Sequence, residues 1–272
     1  MLKMPVSLAI REIHRMVKFV DILEKCNGPL EAILDVGCGD GSWWRSLPAK
    51  PGKVFGIDIS ASVIVTAKGR LDDAALIDVS APSVQSEIKL RRWPSTYDLV
   101  IGNCSLEHVP DINAALANIN SLLNANGNFV LFVPTPDWAL RGVTLSILKK
   151  YAPRLAMLFS GAANGFFQHW HLMDAKTWKI LLEGHGFAVE ESTIIGGQKT
   201  EWLFRFGLPF SFVSFLFKSL AGFYPVRFCS KSLIALLTKK VFAFIKDDLS
   251  ASAKGDHHNE YAIEYAFKCV KK

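Results

Sequence analysis

Apolar residues recur at Ile10, Ile13, Val17, Val20 and Leu23, three or four positions apart, which is the spacing of one face of a helix. The pattern predicts a helix over 8–26, stopped by Asn27, Gly28 and Pro29. Beyond that breaker the rhythm changes. Short apolar runs at 32–36, 54–59, 74–79, 97–101 and 128–133 read as five strands, separated by spans that can each hold a crossover helix. The clearest of these helices carries Ile112, Leu116, Ile119 and Leu123 on one stripe, with Asp111 placed to cap its start and Gly127 to end it. A second runs from Asp174 to about His185 and ends at Gly186. Runs at 187–195 and 260–270 read as two more strands, the last alternating Tyr261, Ile263, Tyr265, Phe267 and Cys269. Strands alternating with helices predict an α/β fold built on a doubly wound, mostly parallel seven-stranded sheet.

Two stretches interrupt this alternation. One covers 138–167, after the fifth strand; the other covers about 200–256, between the last two strands, and is far longer than a hairpin needs. The organisation expected is an N-terminal helix over 1–30, a core over 31–137 and a helical insertion over 138–170. The C-terminal part of the core sheet follows over 171–199 and 257–272, divided by an apolar basic insertion over 200–256. No internal repeat or low-complexity tract is present.

Charge sharpens the second insertion. The chain has a formal net charge of +6, and 201–246 alone carries that excess, with Arg205, Lys218, Arg227, Lys231, Lys239, Lys240 and Lys246 against Glu201. Ten of the 19 Phe residues lie in the same span. A long Phe-dominated stretch with sparse Lys and Arg fits an amphipathic, membrane-contacting element better than a nucleic-acid groove, so no nucleic-acid partner is expected. Arg205, Pro209 and Lys218 break the run of about 20 apolar residues that a membrane-spanning helix needs. Two readings of the span stay open: peripheral contact with a lipid surface, or a lid over an acceptor pocket that buries these residues in its own core.

Half the residues are hydrophobic, enough for a sizeable core. The 5 Cys residues are odd in number and form no CxxC pair, against a disulfide framework or a zinc site and for a reducing compartment. Charged residues at Lys3, Arg11, Glu12, His14 and Arg15 leave the N-terminus without the apolar core of a signal peptide. The expectation is a cytoplasmic protein, at the inner face of the membrane if 201–246 contacts lipid. No feature of the sequence sets an oligomeric state.

The chemistry begins where the first strand meets a glycine loop, Ile33-Leu34-Asp35-Val36-Gly37-Cys38-Gly39-Asp40-Gly41. Glycines let the backbone approach a ligand closely, and a helix starting after them would favour an anionic group. A dinucleotide loop wants GxGxxG; this one reads GxGxG, with Ser42 where the third glycine would be. Asp58 ends the second strand, where a carboxylate can accept bonds from both hydroxyls of a ribose. Asp78 ends the third and suits an exocyclic amine. Either acid alone is as well explained as a helix cap, but a glycine loop and two acids in order are not.

Together with YDLVIGNCSLEHVPD at 97–111 and LLNANGNFVLFVPTP ending at Pro136, the motifs DVGCGDG at 35–41 and GIDIS at 56–60 resemble the class I S-adenosylmethionine-dependent methyltransferases, in particular their type 11, small-molecule group. The resemblance covers 31–136, with a looser match at 171–187, and is specific for cofactor and fold rather than for substrate. It implies a Rossmann-like methyltransferase fold with helical insertions and S-adenosylmethionine as cofactor. It implies further that Asp35, Gly37 and Gly39 line the methionine end, Asp58 holds the ribose, Ile59 packs on adenine, Asp78 faces the adenine amine and Asn103 sits beside the sulfonium. Trp43-Trp44 departs from the smaller residues common after the loop; Trp43 is read either as cofactor packing or as core.

The reaction expected is methyl transfer to a small or lipid-linked acceptor, most plausibly at oxygen. Alignment supplies most of the acceleration for an in-line displacement, but an oxygen acceptor must lose a proton, and histidine titrates near neutrality. His108 follows the fourth strand, at the end of the sheet where such folds bind ligands; it is a base or substrate contact, or else it caps the loop before Asp111. His169 and His171 flank Trp170, and either one is placed to reach an acceptor. Their spacing also suits a two-His metal site, but no carboxylate or Cys cluster accompanies them in the sequence, so no metal is expected. His257 and His258 lie in a polar loop and read as solvated. Two other functions were weighed. A nicotinamide oxidoreductase is disfavoured by the loop spacing, and a non-catalytic binding scaffold by the presence of Asp35, Gly37, Gly39, Asp58 and Asp78 together.

Overall fold

In a computed structural model, residues 6–26, 28–47, 49–138, 148–222, 225–228, 230–254 and 262–272 are described. Seven strands form one sheet: β1 (Ala32–Val36), β2 (Lys53–Asp58), β3 (Asp73–Leu76), β4 (Tyr97–Asn103), β5 (Leu123–Pro134), β6 (Phe187–Gly196) and β7 (Ala262–Lys271). Their order across the sheet is β3-β2-β1-β4-β5-β7-β6. The pairs β1–β2, β2–β3, β1–β4 and β4–β5 are parallel, and β7 runs antiparallel to β5 with Asn128 opposite Val270 and Pro134 opposite Glu264. Ile33 and Leu34 of β1, Leu99 to Ile101 of β4 and Phe129 to Val133 of β5 are all buried. A strand covered on both faces has no polar side, which is why these runs are continuously apolar rather than alternating. The fold is the Rossmann-like α/β arrangement expected.

The order of strands places the site. From β1 the chain moves outward to β2 and β3 and then returns to lay β4 on the other side of β1. At such a reversal the connections after β1 and β4 leave in opposite directions, opening a crevice at the carboxyl ends of the strands.

The helices described are α1 (Val6–Glu24), α2 (Ala61–Ala67), α3 (Val84–Leu90), α4 (Ile112–Leu122), α5 (Pro153–Phe167), α6 (Ala175–Gly184), α7 (Gln198–Ala221) and α8 (Lys231–Lys254). Asp111 caps α4 by accepting from the Ala114 amide at 3.0 Å, and Asp174 caps α6 by accepting from the Thr177 amide at 2.7 Å. Three expectations need correction. The helix expected after the glycine loop is only a 3-10 turn, Trp43–Ser46, ended by Leu47 in an extended conformation. Pro48 follows, and the residue before a proline is driven out of helical geometry. Helix α4 stops at Leu122, not Gly127, because Leu123 pairs with Tyr97 of β4 and is drawn into the sheet. The third strand ends at Leu76, so Asp78 stands in the connection beyond it.

By internal packing the chain forms two compact units. One comprises Ile22–Pro136, Asn164–Thr193 and Glu264–Lys272, the other Met1–Asp21, Asp137–Ala163 and Ile194–Ile263. The first holds most of the sheet, with α4 and α6 contributing Leu116, Ile119, Trp178 and Leu182 to its core. The second has a small core of Ile10, Ile13, Ile245 and Leu249, against which Leu203 packs. His14 is buried there with Nδ1 2.9 Å from Ser252 Oγ and Nε2 2.7 Å from Thr200 Oγ1. Along α7, Phe204 turns inward, whereas Trp202, Phe206, Phe210, Val213, Phe217 and Leu220 stay exposed in steps of three or four residues. Among the described residues no helix is long and apolar enough to cross a membrane. His257, His258, Glu260 and Tyr261 lie outside the described residues.

Candidate active site

Strand β1 delivers Gly37, Gly39 and Gly41 into a loop where all three adopt positive φ, at 74°, 54° and 70°. Gly37 has a steric reason as well. A Cβ on Gly37 would overlap Ser105 Cβ, because the chain leaving β4 lies directly against the loop, whereas Gly39 faces open space. The loop is sewn to β2 by Gly37 and Cys38 amides donating to Ile57 O at 2.8 and 3.1 Å. The Gly39 amide donates to Asp58 Oδ2 at 2.9 Å, and the Ser60 amide to Asp58 Oδ1 at 2.8 Å. These amides are spent inside the protein. With no helix after the loop, the anion site expected there is not built.

Beside the loop opens a cleft of about 290 Å³, lined by Gly37, Asp58, Ile59, Asp78, Ser105 and His108 among others. Asp78 Oδ1 accepts from the Ser80 amide at 2.8 Å and its hydroxyl at 2.7 Å. Ile59 is 73% exposed although it borders the cleft, an apolar surface suited to a flat partner. The lining residues include these two carboxylates and neither Lys nor Arg, which favours a ligand with positive charge and opposes a pyrophosphate.

Asp35 lies deeper. Trp44 Nε1 donates to its Oδ2 at 2.7 Å, and its Oδ1 is buried with no hydrogen-bond partner among the described residues. Asn103 Oδ1, at the end of β4, is likewise buried without a partner. Two orphaned acceptors are what a site for an ammonium or sulfonium group would contain, so these residues fit S-adenosylmethionine. Trp43 is buried edge-on against Trp44 and Phe132, as a core residue. The indole of Trp44, which sequence reasoning passed over, is the one that touches the site.

Burial pushes the Asp35 carboxyl up to about 7; the nearby charge of Asp58 adds to this and the Trp44 bond opposes it. A pKa raised on folding means that between pH about 4 and 7 the native state holds a proton that the unfolded chain releases, so this group's contribution to stability falls as pH rises through that window. Asp35→Asn stays neutral. Its stability relative to wild type is therefore expected to rise by a few kcal/mol between pH about 4 and 8, read from denaturant melts at each pH. A difference that does not vary with pH would refute the assignment.

The chain leaves β4 through Cys104, held at φ 52°, whose amide donates to Phe132 O at 2.9 Å. Ser105 Oγ then donates to Val36 O at 2.5 Å. These bonds aim a 3-10 turn, Leu106–His108, so that Glu107 is buried, 1% exposed, and His108 borders the cleft. The segment after α5 is tied here as well, since the Trp170 and His171 amides donate to Glu107 O at 2.8 and 3.1 Å. That tie separates the two histidines. His169 stacks on His108, with ring centroids 5.0 Å apart and an interplanar angle of 26°. His171 Nε2 lies 2.9 Å from Val109 O and steadies the loop. Glu107 went unnoticed in the sequence because nothing there brings it beside His169.

Comparison with known proteins agrees with this geometry. A family described as a methyltransferase domain matches residues 8–192, more than half of the chain. The ubiquinone biosynthesis O-methyltransferase of Rhodopseudomonas palustris is 32% identical over 126 residues, 45% of this chain and 48% of that protein. The trans-aconitate 2-methyltransferase of Escherichia coli is 32% identical over 110 residues, 40% of each chain. The chain thus spans about half the length of the curated relatives it matches. A SAM-dependent methyltransferase from Archaeoglobus fulgidus superposes with a TM-score of 0.50 over 95% of this chain and 94% of that one, at 14% identity, a likeness of fold.

Proposed function

The chain belongs to the class I S-adenosylmethionine-dependent methyltransferase family, and from that premise we propose that it moves the cofactor's methyl group to a hydroxyl of a small or lipid-linked, apolar acceptor. The observation that carries this reading is the cleft itself, in which Asp58, Asp78 and exposed Ile59 meet an open glycine loop, with neither Lys nor Arg among its described lining residues. Asp58 would hold the ribose, Ile59 the adenine face and Asp78 the adenine amine. Asp35, Gly37, Gly39 and Asn103 would surround the methionine end. When bound, S-adenosylmethionine supplies a sulfonium methyl open to in-line displacement. The protein's part is to align the acceptor and take up its proton. His108 is the cleft-lining group suited to that second task; His169 stacks on its ring, and His171 holds the loop that follows through Val109 O.

Oxygen as the accepting atom draws support from the ubiquinone biosynthesis O-methyltransferase relatives. Titration of the purified protein with S-adenosylhomocysteine and with NAD tests the cofactor, and only the first is expected to bind. Metabolite profiles of cells with and without the gene test the reaction by a product heavier by one methyl. Binding of NAD alone would overturn the reading of methyl transfer.

An apolar acceptor agrees with the exposed stripe on α7, where Trp202 stacks on Phe206 at 5.7 Å and Phe206 meets Phe210 at 6.0 Å. Lys218, Lys239, Lys240 and Lys246 are exposed in the same span. Aromatic side chains can enter the acyl boundary of a bilayer while lysines meet anionic headgroups. The protein is therefore expected to pellet with anionic liposomes at low salt, and Lys239→Glu with Lys240→Glu to weaken this. Protein left in the supernatant at low salt would favour a closed lid.

A further inference from the structure

We propose that Glu107, His108 and His169 form a site for one divalent transition-metal cation at the edge of the cleft. Each offers one donor atom, and the three atoms lie within 4.8 Å of one another. His108 Nε2 is 3.8 Å from Glu107 Oε1. Metal–ligand bonds of about 2.0–2.1 Å in a tetrahedral site separate donors by roughly 3.3 Å, so that pair is already near its final spacing.

The orientation of the rings is the stronger argument. His108 Nδ1 lies 3.2 Å from Gln168 O. A carbonyl only accepts, so the ring's N–H is at Nδ1, and a neutral imidazole then turns the Nε2 lone pair toward a buried carboxylate. A proton on Nε2 or a cation between the two groups would each balance that carboxylate, and the convergence of His169 on the same point favours the cation. His169 repeats the arrangement with Nδ1 3.5 Å from Asn164 Oδ1. A histidine that gives its far N–H to an oxygen acceptor, leaving the other nitrogen for a metal, is the usual support of a metal-bound imidazole. Protonating both rings instead would place two imidazolium ions face to face at 5.0 Å, which like-charge repulsion opposes.

The site is also held in place. Gln168 adopts φ 54°, an uncommon backbone for a residue with a side chain, and its carbonyl meets His108. The Glu107 carbonyl receives both amides that follow His169. Two imidazoles and one carboxylate suit zinc, cobalt or iron, whereas magnesium and calcium prefer all-oxygen shells. With Nε2 on the cation and Nδ1–H on Gln168 O, the His108 ring has no nitrogen left to take the acceptor's proton itself, and the cation would acidify the hydroxyl in its place. That role, though not the site itself, rests on the oxygen-acceptor reading above.

The test uses the full-length protein, stripped with a chelator and titrated with Zn²⁺ by calorimetry and with Co²⁺ by its visible absorption. One equivalent is expected to bind, with cobalt bands of nitrogen coordination. His169→Ala and Glu107→Gln are each expected to weaken binding by about 100-fold or more, since even outer-shell changes cost 10–100-fold, while S-adenosylhomocysteine affinity in His169→Ala stays within about twofold. Failure of the wild type to bind either ion, or unchanged affinity in both variants, overturns the site. If the cation binds as described but no hydroxyl is methylated, the acceptor reading fails alone. If methylation of a hydroxyl survives chelation unchanged, the cation's role fails alone.

Discussion

Replacing His108 with alanine is expected to lower the methylation rate by about 10² to 10⁴ while leaving S-adenosylhomocysteine affinity nearly unchanged. His108 borders the cleft, but it stands on the turn after β4, away from the β2 and β3 ends that carry Asp58 and Asp78. Its loss therefore falls on the acceptor's side. Removing the ring also removes the partner of Gln168 O and the face on which His169 stacks, so the group proposed to act on the acceptor's proton and its support disappear together. The split between rate and cofactor binding is the informative readout. Full activity in His108→Ala would move the role to His169 or His171, or point to an acceptor that needs no base.

Asp58→Ala is expected to weaken cofactor binding by roughly ten- to hundredfold, from the loss of charged hydrogen bonds worth about 1.5–3 kcal/mol. The structure adds a reason for the upper end. Asp58 is also the acceptor for the Gly39 and Ser60 amides, so the alanine variant frees the loop it would use to grip the methionine end. Asp58→Asn keeps an oxygen for one of those amides and is expected to lose less. Calorimetry on the three proteins checks the order; equal affinity in all of them would remove Asp58 from the site.

Local patterns carried the core of the sheet because each central strand is short, apolar on both faces and bounded by its own breakers. The caps at Asp111 and Asp174 were legible for the same reason, since a carboxylate three residues from an amide is a local matter. Where local and long-range forces competed, local reading gave way. Leu123 satisfies a helical stripe by sequence, yet its pairing with Tyr97 placed it in β5.

From its sequence alone this protein was determined to be an α/β chain with a glycine loop followed by acids at Asp58 and Asp78, because strand ends and tight turns are written in neighbouring residues. Only the tertiary structure decided what surrounds them. The Asp35 carboxyl is pushed up to about 7 because packing buries it and sets it near Asp58, against the opposing bond from Trp44. His169 differs from His171 because two amides bind the Glu107 carbonyl and turn one ring toward His108 and the other toward Val109. The carboxylate missing from the sequence beside those histidines was Glu107, on a different segment of the chain. Burial and convergence of distant segments depend on packing across the whole domain, and no local pattern of residues encodes them.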